Sequence, residues 1–456
     1  MSIDLTGKKV LVVGLARSGA AAARLCAREG ARVTVTDQRT AAELASEVHA
    51  LGSAPISFAL SGHDERDFTS CDLVVVSPGV PLSLPEIGAA RRAGIPVLGE
   101  VELASRFLGE VPVVAITGTN GKSTTTALVG TLFQRDRHAF VGGNLGTPLS
   151  ELPLSGAAVD VVVLELSSFQ LEAIERFRPR VGAILNVTPD HLDRYAGMDE
   201  YGAAKARLFE NQQPGDVAVA NERDPRALAA ARSTRGEVVT FGFGPRAAMA
   251  ARDDGEVLRF TGPSGDPERY LIRGRALRGR HNRENAMAAV ACARIMGVPG
   301  AVVQRGLDEF PGLPHRLELV AERGGVEWVN DSKATNVDST AVGLAAFPAG
   351  RPSVVLLLGG RGKKTSYAPL RPLFPGRVKA LLTLGEDAPA IERELGDLGP
   401  TESCGDLATA VTRAAHLAGP GDVVLLSPAC ASYDQFRSYE ERGEAFRRLA
   451  STAHAP

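Results

Sequence analysis

Lys122 and Ser123, preceded by Gly118-Thr119-Asn120-Gly121 and followed by Thr124, are the residues whose types and spacing bear most directly on chemistry. A glycine-bounded turn lets backbone N–H groups approach phosphate oxygens, and a lysine adds a mobile positive charge. A serine hydroxyl can ligate Mg²⁺, and a helix starting there aims the positive end of its dipole at the anion. The general phosphate-loop pattern has another glycine five residues before Gly121, where this chain has Ile116, so the loop is a shortened form of the motif.

Further along, Glu165 closes an apolar run, a position where an unpaired charge is costly. Mg²⁺ beside nucleotide phosphates is the natural partner for it, with a structural ion pair as the alternative. Asp190, His191 and Asp193 share one loop after another apolar run, a donor set suited to a divalent cation or a phosphoryl oxygen. Three later loops carry donors and cations. They are 330–336 with Asp331, Lys333 and Thr335, then 359–365 with Lys363 and Lys364, and 427–436 with Ser432 and Tyr433. Together they suit a small carboxylate substrate.

These residues need rigid elements behind them. Apolar runs at 9–15, 32–37 and 73–79, with an alanine-rich helix at 20–28, predict a parallel doubly wound unit. Its glycine turn, Gly14-Leu-Ala-Arg-Ser-Gly19, has Ala16 where a dinucleotide fingerprint has its middle glycine, which points to another nucleotide in that crevice. Strands are expected at 111–116, 159–164, 181–186 and 217–220, a sheet extension or an insertion at 244–270 and a helix at 282–296. A last α/β set has strands at 327–330, 353–358, 378–384 and 422–426. The expected fold is α/β in three domains: a Rossmann-like domain over 1–100, a central P-loop ATPase-type domain over 101–312 and a Rossmann-like domain over 313–456.

Composition narrows the classes. A formal net charge of −2 leaves no basic surplus for a nucleic-acid backbone. The five cysteines have no C-x-x-C spacing, which fits reduced thiols in the cytoplasm. No apolar run is long enough to span a bilayer, so no membrane insertion is expected.

Seven motifs in order are similar to those of the Mur ligase family, over essentially the whole chain. They are Gly118-Thr-Asn-Gly-Lys-Ser123, Glu165-Leu-Ser-Ser-Phe-Gln170, Asp190-His-Leu-Asp-Arg-Tyr195, His281-Asn-Arg-Glu-Asn285, Leu313-Pro-His-Arg316, Asn330-Asp-Ser-Lys-Ala-Thr-Asn336 and Ser427-Pro-Ala-Cys-Ala-Ser432. The resemblance implies ATP-dependent amide formation through an acyl phosphate. It is strongest to the branch that joins D-glutamate to UDP-N-acetylmuramoyl-L-alanine in peptidoglycan precursor synthesis, and it implies a cytoplasmic monomer whose domains close on their substrates.

Carried over by motif, residues 118–124 would hold ATP phosphates, and Asn282, Asn285, Arg316, Asp331 and Lys333 the rest of the nucleotide. Ser123, Glu165 and His191 would hold two Mg²⁺ ions. Lys205 matches a lysine that the family carbamylates, adding a fourth, anionic ligand. Lys122, Glu165, His191 and Lys205 form the implied catalytic set. Arg17, Ser18, Asp37, Gln38, Arg39, Ser77 and Gly79 match the UDP positions. Asn144, Ser167 and Gln170 match the muramoyl-alanine path, His315 is a further substrate-binding position, and Thr335, Lys363, Ser432, Tyr433 and Tyr439 match the glutamate site. Lys364 is an equal alternative to Lys363, and Tyr439 stands where the family has phenylalanine. Folylpolyglutamate synthase, sister ligases adding other amino acids, and a non-catalytic nucleotide-dependent regulator are the rival readings.

Overall fold

In the computed structural model, residues 3–452 are described apart from 53, 145, 245–246, 252–256, 262–266 and 364. The chain forms two compact units, Met1–Leu271 with Glu284–Leu307, and Ile272–Arg283 with Asp308–Pro456. Among the described residues, no helix is long and apolar enough to cross a membrane.

The first unit carries two sheets. Five parallel strands lie in the order Ile56–Leu60, Arg32–Asp37, Lys9–Val13, Leu73–Val76, Val97–Gly99. The order of successive strands reverses at Lys9–Val13, running outward to one side and then the other, and such a switch point opens a ligand crevice at the strand carboxyl ends. Lys9–Val13 and Leu73–Val76 are almost wholly buried, as their unbroken valine and leucine content requires of strands covered on both faces.

The second sheet has nine strands among the described residues. Val113–Thr117 lies third from one edge, flanked in parallel by Val161–Glu165 and Val181–Ile184. The phosphate loop, Glu165 and the Asp190–His191 loop thus leave three adjacent strands at the same end. Of the two readings for 244–270, the structure shows a sheet extension: Met249–Ala251 joins Glu237–Gly242 in parallel, and Val257–Thr261 and Pro267–Leu271 follow antiparallel. Within this unit the two sheets are joined by Gly99 N–H donating to Ala173 O (2.8 Å) and by an Arg24–Glu151 ion pair.

The second unit is built on six strands in the order Glu318–Arg323, Val326–Asn330, Val423–Leu426, Val354–Gly359, Val378–Leu384, Thr401–Gly405. Only the first is antiparallel to its neighbour. The Asp331, Ser427 and Gly359–Gly360 loops therefore leave three neighbouring strands at one end.

Candidate active site

The helix Lys122–Gln134 begins at Gly121, whose φ of 85° lies in the left-handed region. A Cβ there would sit 2.2 Å from Asn285 Oδ1, so the turn needs glycine both for its dihedral and for the close approach of Asn285. The N–H groups of Thr119 and Asn120 donate to Asn186 O (2.9 Å) and Asn186 Oδ1 (2.8 Å). These two donors stiffen the loop, and the helix N-terminus that follows it is of the kind that suits an anion, ahead of the intrahelical ladder that opens with Thr125 N–H to Gly121 O.

Two lysines meet on this loop. Lys122 Nζ donates to Gly118 O (2.8 Å) and Thr119 O (2.7 Å), and Lys205 Nζ donates to the same Gly118 O (3.0 Å). Lys205, on the helix Met198–Ala206, is buried, and its ammonium lies 4.6 Å from the Tyr201 ring centroid. Burial foremost, and then the charge of Lys122, push the Lys205 amine down to about 7 against the opposing pull of Asp190 and Glu165.

Glu165 is buried at its strand end. Its Oε1 accepts from Asn144 Nδ2 (2.8 Å), while its Oε2 has no hydrogen-bond partner among the described residues. An orphaned carboxylate oxygen in a buried setting fits a cation. No three His, Cys, Asp or Glu side chains among the described residues converge as a metal cluster. A cation here therefore needs oxygens of other kinds: a hydroxyl such as buried Ser123, phosphate, or a carbamate on Lys205.

His191 stands on a turn with φ of 54°, its ring 4.8 Å from Phe169 and 6.1 Å from Tyr201 between centroids. Tyr201 in turn places its hydroxyl 3.2 Å from Thr119 Oγ1. Phosphate loop, Lys205 and His191 are thus linked through one buried tyrosine.

At the switch point of the first sheet lies a cavity of about 480 Å³. Arg17, Ser18, Asp37, Gln38, Arg39, Ser77, Gly79, Asn144 and Gln170, nine sequence-derived site residues, line it, as does His63. Burial works against the Asp37 anion, but the Arg39 guanidinium and the N–H groups of Leu15 and Arg39 hold its carboxyl at about 2. Ser77 Oγ donates to Gly14 O (2.7 Å), and a Cβ on Gly19 would lie 1.9 Å from that oxygen. The two glycines kept from the broken fingerprint thus serve close helix–strand packing. Ser167 does not line this cavity. Its hydroxyl closes a capping box with Gln170, which fixes the Gln170 side chain and leaves Nε2 buried without a partner among the described residues.

In the second unit, Asp331 Oδ2 accepts from Ser427 Oγ (2.8 Å) and Oδ1 from Leu317 N–H (3.3 Å). Burial pushes this carboxyl up to about 7, opposed by Ser427, Arg316 and Leu317. His315 is buried, its Nδ1 accepting from Asn330 Nδ2 (2.9 Å), so its ring is spent on the scaffold. Lys333 Nζ lies 5.5 Å from the Tyr439 ring centroid, and Thr335 N–H donates to Lys333 O (2.9 Å). Arg361 and Ala431 exchange backbone hydrogen bonds (2.9 and 3.0 Å), joining the Lys363 loop to the Ser432 loop. Ser432 is buried, Tyr433 and Arg316 are exposed, Lys363 is exposed, and Lys364 lies outside the described residues.

Sequence reasoning missed Arg442. It is buried and donates to Ser332 Oγ (2.9 Å), Ser332 O (2.8 Å) and Cys430 O (3.1 Å), tying the Asp331 loop to the Ser427–Ser432 loop. Its setting, Glu440-Glu-Arg-Gly-Glu444, reads as a solvated helix face, and nothing in it signals a core arginine. Tyr201, Asn186 and His63 were also passed over, because hydrogen bonds to a loop far along the chain leave no local pattern.

Three family models match the chain: the Mur ligase MurD-like N-terminal domain over 8–99, the Mur ligase middle domain over 116–293, and the Mur ligase glutamate ligase domain over 315–430. A UDP-N-acetylmuramoylalanine–D-glutamate ligase of Anaeromyxobacter dehalogenans is 71% identical, the match covering 98% of each chain. One of Myxococcus xanthus is 52% identical over 98% of this chain and 99% of its own. Among solved structures, MurF ligase from Thermotoga maritima in complex with ADP shares the fold, with a TM-score of 0.62 at 18% identity over 99% of both chains.

Proposed function

The chain belongs to the Mur ligase family, and we propose that it joins D-glutamate to UDP-N-acetylmuramoyl-L-alanine in an ATP-dependent reaction of peptidoglycan precursor synthesis. The observation that carries this reading is the 71% identity, along 98% of both chains, to a ligase of that name. The site chemistry is consistent with it.

A carboxylate is a poor electrophile, so the alanyl carboxylate first takes the γ-phosphoryl group of ATP. The glutamate amine then attacks the acyl carbon, the C–O bond to phosphate breaks, and the amine proton is lost as the amide forms. The Gly121 turn and first helical turn orient the phosphates, and Lys122, mobile on its loop carbonyls, follows the charge onto the transferring oxygens. The cavity lined by Asp37, Arg39, Asn144 and Gln170 holds the UDP-sugar and its alanyl arm, so that remote binding energy fixes the reacting carboxylate. Glutamate is assigned to Thr335, Lys363, Ser432, Tyr433 and Tyr439 of the second unit, with Asp331, Lys333, Arg316, Asn282 and Asn285 assigned to the nucleotide.

Ser123, Glu165, His191 and a carbamylated Lys205 would hold Mg²⁺, which when bound supplies positive charge against the phosphate and carboxylate oxygens. An amine that titrates near 7 is half neutral at physiological pH. Its lone pair can bond CO₂ and release one proton, which turns a buried cation into an anion beside Lys122. The reading places the enzyme in the cytoplasm, where its nucleotide substrates are.

Phosphate release should require ATP, UDP-N-acetylmuramoyl-L-alanine and D-glutamate together. Equal release with L-alanine or a diamino acid in place of D-glutamate would reject the assignment in favour of a sister ligase.

A further inference from the structure

Glu172 lies outside every motif role described above, yet its carboxylate grips the turn that carries His191. Oε2 accepts from Arg194 Nη2 at 2.7 Å and Oε1 accepts from the Tyr195 hydroxyl. Both acceptors work in a mostly buried setting: Glu172 and Arg194 side chains are each 18% exposed and Tyr195 is 6% exposed. The backbone N–H groups of the same two residues, Arg194 and Tyr195, both donate to His191 O, at 3.0 and 3.1 Å. The guanidinium of Arg194 also lies 4.0 Å over the Phe169 ring, the ring that packs 4.8 Å from His191. One carboxylate therefore holds the far end of the turn whose first residue is His191.

That residue needs holding. Its φ of 54° is in the left-handed region, which a residue with a Cβ occupies only when its surroundings over-determine it. The ring is half exposed; within its own loop it approaches Asp190 Oδ2 at 3.5 Å, and its backbone N–H donates to Asp190 Oδ1 (3.0 Å). The carbonyl side of the residue is held from the far end of the turn, through Arg194 and Tyr195.

We propose that Glu172 is a positioning residue: by clamping Arg194 and Tyr195 it keeps His191 in its left-handed conformation, aimed for metal binding. The inference rests on the reading of His191 as a Mg²⁺ ligand. Residues that orient a metal ligand typically change metal affinity or turnover by about 10–100-fold when altered. Glu172→Gln keeps the shape of the side chain, removes its charge and turns one acceptor into a donor facing Arg194.

The experiment uses the full chain. Without nucleotide or metal, the rate of His191 acylation by diethyl pyrocarbonate is followed by peptide mass spectrometry, with exposed His49 as internal reference. In parallel, turnover is measured across a Mg²⁺ titration. The expected result for Glu172→Gln is acylation of His191 several-fold faster relative to His49, with half-saturating Mg²⁺ raised about tenfold or more. Wild-type values for both overturn the clamp. Should Glu172→Gln not fold, Tyr195→Phe carries the test, since it removes one grip and leaves the ion pair. It should shift both readouts in the same direction by less, and wild-type values again overturn the proposal. His191→Ala separates the two readings: full turnover in that variant refutes the metal-ligand role itself. Impaired turnover there with an unaffected Glu172→Gln refutes only the clamp.

Discussion

Replacing Lys122 with methionine removes the nearest positive charge to Lys205 while keeping a side chain of similar length. Both ammonium nitrogens bond to one oxygen, at 2.8 and 3.0 Å, so they can be no more than about 6 Å apart. Two unit charges at about that separation repel by about 3 kcal/mol at an effective dielectric of about 20, equivalent to roughly two pK units. Burial is the larger cause of the depression from 10.5 to about 7, and it survives the substitution. Lys205 should therefore rise by roughly two units, only part of the way back to 10.5. At pH 7.5 its neutral fraction would drop from about three quarters to about three hundredths, and carbamate formation, which requires the neutral amine, would fall with it. ¹³C NMR of the ligand-free protein in ¹³C-bicarbonate follows the carbamate carbon as pH is raised, with Lys205→Ala as the blank. A midpoint that stays put in Lys122→Met, or a wild-type Lys205 that titrates near its ordinary 10.5, would refute the coupling drawn from the shared carbonyl.

Other outcomes follow from the same geometry. Lys122→Met should abolish ATP-dependent phosphate release yet bind the UDP-sugar substrate with nearly wild-type affinity by calorimetry, because the cavity lined by Asp37 and Ser77 contains no part of the phosphate loop. Lys205→Ala should lose most turnover and regain part of it with added short-chain carboxylic acid, while an unimpaired variant would remove the carbamate from the mechanism. Glu100, fully buried with Oε1 on Ser150 N–H (2.6 Å), is pushed up to about 7 by burial, against the pull of Ser150. A raised carboxyl favours the folded state fully below about 4.5 and loses that contribution as pH rises through about 7. Thermal melts should accordingly show Glu100→Gln matching wild type near pH 4.5 and exceeding it at pH 8. Arg442→Met strips donors from Ser332 O, Ser332 Oγ and Cys430 O, and should destabilise the second unit by about 2–4 kcal/mol in denaturant unfolding.

The parts of this molecule that were legible in the sequence share a physical cause. Strands covered on both faces are rich in valine and leucine, so Arg32–Asp37 and Val378–Leu384 match their expected limits, and Val113–Thr117 and Val161–Glu165 differ from theirs by a residue or two. The candidate loops follow such strands directly, so the Gly118–Ser123, Glu165, Asp331 and Ser427 segments stand at strand ends in the structure. Edge strands were missed: Ile56–Leu60 and Glu318–Arg323 are largely uncovered and mix polar with apolar residues. Lys205 drew notice only through resemblance, because its burial depends on Tyr201 and Gly118 packing around it. Ser167 and His315 show the converse. Both were legible as polar residues in motifs, and their hydrogen bonds are committed to a capping box and to Asn330. Arg442 and Glu172 gave no sequence signal at all, since each matters through partners that only the fold brings near.

The proposed mechanism turns on activation of the substrate carboxylate by phosphorylation before the amine attacks. It is tested most directly with UDP-N-acetylmuramoyl-L-alanine carrying ¹⁸O in the alanyl carboxylate, turned over with unlabelled ATP and D-glutamate in unlabelled water. An acyl phosphate passes one carboxylate oxygen to the departing phosphate, so mass spectrometry should find a single ¹⁸O in the inorganic phosphate for each amide formed. Amide formed with unlabelled phosphate would contradict the mechanism.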